Sequence, residues 1–430
     1  MEETKAKLNR LFTKAVDVRP NELRALWLGF AFHFIILTGY YIMRPIRDSI
    51  AAGNRLEALP WMFTATLIAM LVANALFAAI VARLPRRRFI PLAYSFFILN
   101  LLLFFALMRS ASPAQQVWVG RSFYVWVSVF NLFNTAIFWA FMTDLFTVEQ
   151  GKRLYGFIAV GGSLGGIVGP FITANYVKQV GPANLLLVSC LLLGIAAGLV
   201  FLFPHRTTDR NEPSRGHDEP VGGSIWSGVS HICRSPYLFG LGVAILLYTS
   251  TSTWAYFQQS DLTRQVLKDS GTRTIFLAHL DMWVNTITVV VQIFLTGRLL
   301  KWFGIPFTLV ATPLLSMIGF VAMAIAPTLG LLAAFQVIRR ASAYALMRPS
   351  RELLFTVLKR EDKYKVKSVT DTLGYRVGDQ LGAWSYSGLH GLGLNLNAIS
   401  WVAVPVTAGW CALSIWLARK QAQLAKQEQE

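Results

Sequence analysis

The sequence predicts an all-helical membrane protein, with twelve transmembrane helices arranged as two parallel six-helix repeats. Three observations predict it. Apolar runs of about 20 residues, long enough to cross a hydrocarbon core of about 30 Å, recur along the whole chain. Basic residues gather in alternate links between those runs, and motifs of the first half return in the second at nearly one offset.

The first observation rests on composition and then on position. Of 430 residues 54% are hydrophobic and only 14% charged, against about 25% charged in soluble domains, and the mean hydropathy is positive. The runs fall at roughly 23–43, 61–81, 89–107, 117–141, 155–177 and 183–203. A second series follows at 237–257, 275–295, 305–325, 329–355, 370–389 and 398–417. The first run is full length and lacks a small-residue cleavage pattern at its flank, so it is expected to stay as a helix.

The net charge of +18 would suit nucleic acid if it lay on one soluble face, but it lies in short links, so no nucleic-acid partner is expected. The clusters are the N-terminal tail, RLPRRR at 83–88, Lys152 with Arg153, the link at 205–235, Arg298 with Lys301, KREDKYKVK at 359–367, and the C-terminal tail. These are alternate links, which places both termini in the cytoplasm, with a bacterial inner membrane as the expected location. Cys190, Cys233 and Cys411 are dispersed without metal-ligand spacing, so neither a disulfide framework nor a metal site is expected.

The repeat is read from three ungapped matches. RLPRRRFIPL at 83–92 answers RLLKWFGIPF at 298–307, with Arg-Leu first and Ile-Pro seven residues after the arginine, at an offset of 215. Leu-Phe-Thr-Val at 145–148 recurs at 354–357 as Leu-Phe-Thr-Val, an offset of 209. Gly161, Gly165 and Gly169 answer Gly374, Gly378 and Gly382 at an offset of 213. An even number of spans between equivalents makes the repeat parallel, as in the two halves of major facilitator proteins. The expected organisation is an N-terminal half at 1–204, a polar cytoplasmic linker at 205–235 and a C-terminal half at 236–430. The Gly-x-x-x-Gly stretches are read first as close helix packing, and second as faces on which the halves rock. A nucleotide loop lacks its strand-turn-helix context.

Polar stripes mark candidate function. At about 100° per residue, His33, Tyr40, Arg44 and Arg47 share one face of the first helix. Arg121, Ser128 and Thr135 recur in the fourth, with Asn131 beside them. Asp281, Asn285, Thr288 and Gln292 line one face of the eighth, and Arg340, Tyr344 and Arg351, with Arg348 nearby, mark the tenth. Intramembrane charge is costly and usually faces a partner or a wet interior. Arginines outnumber carboxylates in these stretches, and guanidinium forks suit phosphate or carboxylate. In the seventh helix YTSTSTWAYFQQ at 248–259 is open to two readings, a locally unwound donor site or a plain helix whose hydroxyls bond its own carbonyls.

IMRPIRDSI at 42–50, FWAFMTDLFTVEQGKRLYGFIAVGGSLGG at 138–166 and DKYKVKSVTDTLGYRVGDQLG at 362–382 resemble, in order, three signatures of the ATP/ADP translocases of plastids and intracellular bacteria. The resemblance implies the major facilitator fold, with helices one, four, seven and ten lining the substrate path. It places Arg47 where the family has a required lysine and Lys367 where it has a second. The family's two acidic positions fall near Val127 and Thr272, neither of them acidic, which implies a divergent member.

The expectation is a secondary transporter that moves a small anionic, phosphate-bearing solute by alternating access, with a nucleotide as first guess. Its substrate would be bound by Arg44, Arg47, Lys367, Tyr40, Arg340, Asp281, Asn285 and Gln292, without cofactor or metal, in contact otherwise with membrane lipids. An efflux carrier for amphipathic molecules and a non-transporting membrane protein on the same fold are the competing expectations. No Ser/His/Asp, paired-carboxylate or metal-ligand constellation suggests an enzyme.

Overall fold

The computed structural model describes residues 18–19, 21–81, 86–204, 235–358, 366–367 and 370–427. The basic link at 83–85 and most of 205–235 and 359–367 lie outside them, as does Cys233; Cys190 and Cys411 are free thiols.

Among the described residues the secondary structure is helical throughout, without a strand. The first half comprises α1 (Leu23–Gly53), α2 (Leu59–Val81), α3 (Arg86–Ser110), α4 (Pro113–Leu145), α5 (Val148–Val180) and α6 (Pro182–Leu199). The second comprises α7 (Pro236–Val266), α8 (Ser270–Val291), α9 (Gly297–Ile325), α10 (Leu329–Ser342), α11 (Arg348–Leu354), α12 (Tyr375–Gly391) and α13 (Leu396–Gln427). A helix is the only open-ended element that satisfies its backbone within itself in lipid. At 31 residues, α1 is about 45 Å long, more than the hydrocarbon thickness.

Among the described residues nine segments are long and apolar enough to cross a membrane. One of them, 56 residues over Ser270–Ile325, holds two of the expected runs. Its break is Gly304, at φ +72°, a left-handed conformation that glycine adopts without a Cβ penalty. The remaining expected runs, 329–355 and 370–389, are helical but are not among those nine segments.

The chain divides into two compact units. One runs to Ala51, resumes at Ala65 through α6 and includes Asp269–Met282; the other holds Ala52–Thr64, α7 through Lys268, and the chain from Trp283 onward. The boundaries cut through α2 and α8, so the first part of α8 packs with the N-terminal helices. In the first unit Phe32 sits fully buried among Tyr94, Phe138, Phe141 and Phe203. In the second, Tyr237, Leu241, Phe355, Trp410 and Leu417 form the core.

Glycine sets the closest helix approaches, and it does so twice in one pattern. A Cβ on Gly165 would lie 2.5 Å from the Phe34 carbonyl oxygen and 2.9 Å from the Thr38 nitrogen; one on Gly169 would meet the Thr38 oxygen and Tyr41 at 2.7 Å. In the other unit a Cβ on Gly378 would collide with Thr249 and approach Leu246, and one on Gly382 would meet Ser250 and Thr253 at 2.8 Å. An offset of 213 carries Gly165 and Gly169 onto Gly378 and Gly382, while 212 carries Phe34, Thr38 and Tyr41 onto Leu246, Ser250 and Thr253. Three approaches recur in this way: Gly165 to Phe34 and Gly378 to Leu246, Gly169 to Thr38 and Gly382 to Ser250, and Gly169 to Tyr41 and Gly382 to Thr253, as a parallel repeat requires. Packing is therefore the direct role of these glycines.

Carbonyls of α1 also accept side-chain bonds from three neighbours. Asn134 of α4 donates to Ile36, Thr173 of α5 to Ile42 and Ser189 of α6 to Gly39, at 3.4, 3.1 and 3.0 Å. Such interhelical bonds are individually modest, about 0.6 kcal/mol on average, but they fix the rotation of α1.

The glycine packing makes a testable contrast. Gly165→Ala should destabilise the protein by about 1–3 kcal/mol, because backbone atoms cannot give way as a side chain can. Gly194→Ala, where a Cβ would meet nothing within 4 Å, should be neutral or stabilising through helix propensity. Thermal unfolding in detergent compares the two, and equal shifts would contradict this account of α1 against α5.

Candidate functional site

The first unit gathers three of the charged residues singled out by the sequence, Arg44, Arg47 and Asp281, around Asp48. Arg47 donates from Nε and a terminal nitrogen to one oxygen of Asp48, at 2.9 and 2.7 Å, and reaches Ser128 of α4 at 3.4 Å. Its guanidinium also lies over the Tyr124 ring. Arg44 Nε lies 3.4 Å from an oxygen of Asp281 and 3.9 Å from Asp48. Tyr40 is buried beside them, edge-on to Tyr41, over whose ring Arg44 sits. Two guanidinium groups thus meet two carboxylates, at side-chain exposures of 16% and 13% for the arginines and 7% and 3% for the aspartates. Charges so far from water need such partners. The surplus of arginine over carboxylate expected across the polar stripes is therefore not concentrated at this cluster.

Asp281 reaches this cluster because α8 begins against α1. Ser49 donates to the Ser270 carbonyl at 3.1 Å. Asp269 caps the helix, accepting from the Thr272 hydroxyl and amide at 2.7 Å each. The hydroxyl bond first, then the amide bond, holds the Asp269 carboxyl below its usual range.

His33, on the same predicted stripe, does something else. Its ring stacks on Phe138 at 4.2 Å, fills the space beside Gly162, and its Nδ1 lies 3.0 Å from the Ile158 carbonyl oxygen. A proton on Nδ1 is required for that bond, which assigns the tautomer and gives the ring a packing role. Val127 is fully buried in the core.

In the second unit the 3.6-residue period fails at three π-helical turns, Gln292–Thr296, Ala343–Met347 and Thr370–Gly374. The middle one has a cause in the sequence. Pro349 has no N–H to give the Ala345 carbonyl, four residues back. Thr296 Oγ1 donates to that oxygen at 2.8 Å, and Gln292 donates to the neighbouring Tyr344 carbonyl at 3.3 Å. Side chains of one π-turn therefore satisfy carbonyls of the other, as buried backbone in a membrane demands.

The predicted stripes do not stay together. Asp281 packs with the first unit, whereas half-buried Asn285 and exposed Gln292 belong to the second. In the tenth span, projecting a helical period from Arg351 through Tyr344 selects Arg340, which is half-buried. Fully buried among the arginines there is its neighbour Arg339, at 5% exposure. Arg339 is not legible without the π-turn; Pro349 is the available signal. Arg348 lies over the Tyr344 ring, 4.6 Å from its centroid.

Lys367 pairs with Glu352. Beside them Arg351 bonds the Tyr375 hydroxyl at 2.6 Å and reaches Asp371 at 3.0 Å and Glu352 at 3.5 Å, and Arg376 pairs with Asp379. The hydroxyl-rich stretch of α7 stays helical, with Thr249 and Thr251 each bonded to carbonyls three and four residues back. The plain-helix reading holds there. Among the described residues no His/Cys/Asp/Glu cluster could hold a metal.

Residues 26–355 match the family described as the Major Facilitator Superfamily. Two similar proteins are ADP,ATP carrier protein 1 of Chlamydia pneumoniae, 20% identical over 86% of this chain and 85% of that one, and its namesake in Chlamydia trachomatis, 22% identical over 86% and 83%. Among solved structures, a bacterial homologue of the iron transporter ferroportin matches with TM-score 0.63 at 13% identity, covering 94% of this chain and 99% of the other. The nucleoside transporter NupG matches with TM-score 0.57 at 12% identity, covering 95% and 100%. At such identities the structural likeness speaks for the fold alone.

The Arg44–Asp281 pair can be tested directly. Asp281→Asn should cost about 3 kcal/mol, since it removes the carboxylate 3.4 Å from the buried Arg44. In a double-mutant cycle with Arg44→Gln, the double variant should lose clearly less than the sum of the singles. Additive losses in thermal unfolding would mean that the pair does not act as a unit.

Proposed function

Since the chain belongs to the Major Facilitator Superfamily, and is thus a multi-pass membrane transporter, we propose that it moves an anionic, phosphate-bearing metabolite by alternating access, with a nucleotide as the first candidate. The observation that carries this reading is the charge of the tenth span. Between Leu329 and Leu354 stand Arg339, Arg340, Arg348 and Arg351 against a single acid, Glu352. So much positive charge inside a membrane-spanning stretch is costly and marks a substrate path, and guanidinium is the side chain best matched to phosphate oxygens. The similarity to proteins named ADP,ATP carriers makes a nucleotide the first choice among phosphate-bearing solutes.

In this reading Arg44 and Arg47 contribute binding charge from the first unit, and Lys367 and Arg340 from the second. Each of the first pair already has an aspartate, so a bound phosphate competes with Asp48 and Asp281 for the guanidinium. Such competition gives a site that releases its anion as well as binding it. Asp281 acts by orienting Arg44, and Tyr40 by closing the apolar side of the cluster. Asn285 contacts polar parts of the solute, whereas the bond from Gln292 to Tyr344 makes its part the support of the arginine-bearing span.

The reading predicts saturable uptake of labelled ATP, ADP or a phosphate ester into proteoliposomes. An efflux carrier for amphipathic molecules would instead move a lipophilic cation. Arg47→Ala should weaken the apparent affinity roughly ten- to a hundredfold, for a charge-assisted interaction of about 1.5–3 kcal/mol; Arg47→Lys, which keeps charge without the planar fork, should be intermediate. Uptake is normalised to folded protein. Wild-type affinity in a well-folded Arg47→Ala variant would refute the role given to this residue, and absence of any anion flux would refute the proposed function.

A further inference from the structure

Arg339 differs from the other buried cations described above. Arg44, Arg47 and Arg351 each have a carboxylate within ion-pair distance. Among the described residues Arg339 bonds only neutral partners, the Ser252 hydroxyl of α7 at 2.8 Å and the Gln336 side-chain oxygen at 3.0 Å. Its Nε is buried and has no hydrogen-bond partner. The Phe335 ring, 6.0 Å away, does not offset a full charge. Guanidinium cannot escape by losing its proton, and a buried charge without a counter-ion is strongly unfavourable.

The surroundings are otherwise built with care, which argues against a casual mismatch. Gln336 spends its amide nitrogen on the Ala255 carbonyl at 2.9 Å and its oxygen on Arg339, so its orientation is fixed. Ser252 occupies, at the offset of 212 that relates α7 to α1, the position that Tyr40 holds beside Arg44 and Arg47. Both repeats thus bring this register of their first helix to a guanidinium, but only the first repeat supplies the acid.

We propose that Arg339 is an anion-binding residue whose counter-charge is an oxygen of the transported solute, a phosphate or carboxylate group taken up at the Nε edge that the protein leaves without a partner. This rests on the reading of the protein as an anion transporter and deepens it. The empty carrier holds an uncompensated charge, and the loaded carrier does not. Solute binding therefore stabilises the second unit, with Ser252 and Gln336 holding the other two guanidinium nitrogens in place.

The test uses the full-length protein in lipid nanodiscs in gluconate buffer, with thermal unfolding followed against ATP, pyrophosphate and chloride. Wild type should be stabilised by ATP or pyrophosphate. Arg339→Gln should be at least as stable as wild type without anion, and bind ATP about ten- to a hundredfold more weakly. Ser252→Asp, which puts a carboxylate where the 2.8 Å hydroxyl partner stands, should raise the melting temperature without anion and suppress the response to ATP. If wild type responds to ATP and Ser252→Asp responds equally, the inference is wrong while the anion-transport reading stands, whether or not Arg339→Gln folds. An Arg339→Gln variant that is less stable yet binds ATP normally marks the arginine as a tie between α10 and α7, and also overturns it. Chloride stabilising wild type as well as ATP does would replace the solute by a halide and overturn it too. If no anion stabilises wild type, both readings fall.

Discussion

The close approach of α5 to α1, with its counterpart of α12 to α7, is the constraint on which the other features rest. Lipid supplies no hydrophobic drive to bring two apolar helices together, so contact area and hydrogen bonds must do it. Gly161, Gly165 and Gly169 let α5 settle on the carbonyl edge of α1, where any side chain would strike Phe30, Phe34 or Thr38. Once that edge is committed to α5, the rotation of α1 is set. The bonds from Asn134, Thr173 and Ser189 then hold it. Arg44 and Arg47 point where they do because the opposite choice would put glycine-lined backbone against charge.

The same packing recurs in the second unit, but the chemistry carried on it does not. The offset that takes Phe34 to Leu246 takes Arg44 to Tyr256 and Arg47 to Gln259. The first helix of the second repeat is thus without these cations, and the arginines stand instead along α10 and α11. A parallel duplication conserves the backbone approaches because both copies face one packing problem. It leaves the polar side chains free to diverge, since a transported solute is not itself symmetric. The two units therefore differ in the charges they carry. One holds arginines matched to aspartates on its first helix, and the other carries four arginines and one glutamate along its tenth span.

Much of the fold is legible because it follows from quantities that sequence displays directly. Run length against bilayer thickness locates the helices, and recurring Leu-Phe-Thr-Val and glycine triplets reveal the duplication. Even the break at Gly304 falls between two expected runs. The candidate site is legible where a helix is regular, as on α1, and illegible where it is not. Period-based reading assumes 3.6 residues per turn, and each π-turn inserts a residue that rotates everything beyond it. Hence periodicity selects Arg340 and passes over Arg339; Gln292, where its π-turn begins, donates to the Tyr344 carbonyl. The pairing of Lys367 with Glu352 is hidden for another reason: it joins residues 15 apart across a basic link, where no periodicity applies.

The π-turns are also the physical link between the backbone and the charges. Pro349 frees a carbonyl within a membrane span, which is tolerable only if a neighbour donates to it. Thr296 does so, and Gln292 donates to the adjacent Tyr344 carbonyl, joining the helical run that carries Asp281 to the span that carries the arginines. Movement of either span is therefore felt at the other through two hydrogen bonds rather than through loose apolar contact. Asp281 holds Arg44 at the other end of the same helical run, so α8 is continuous from the paired cations of the first unit to the turn that braces Arg339's span.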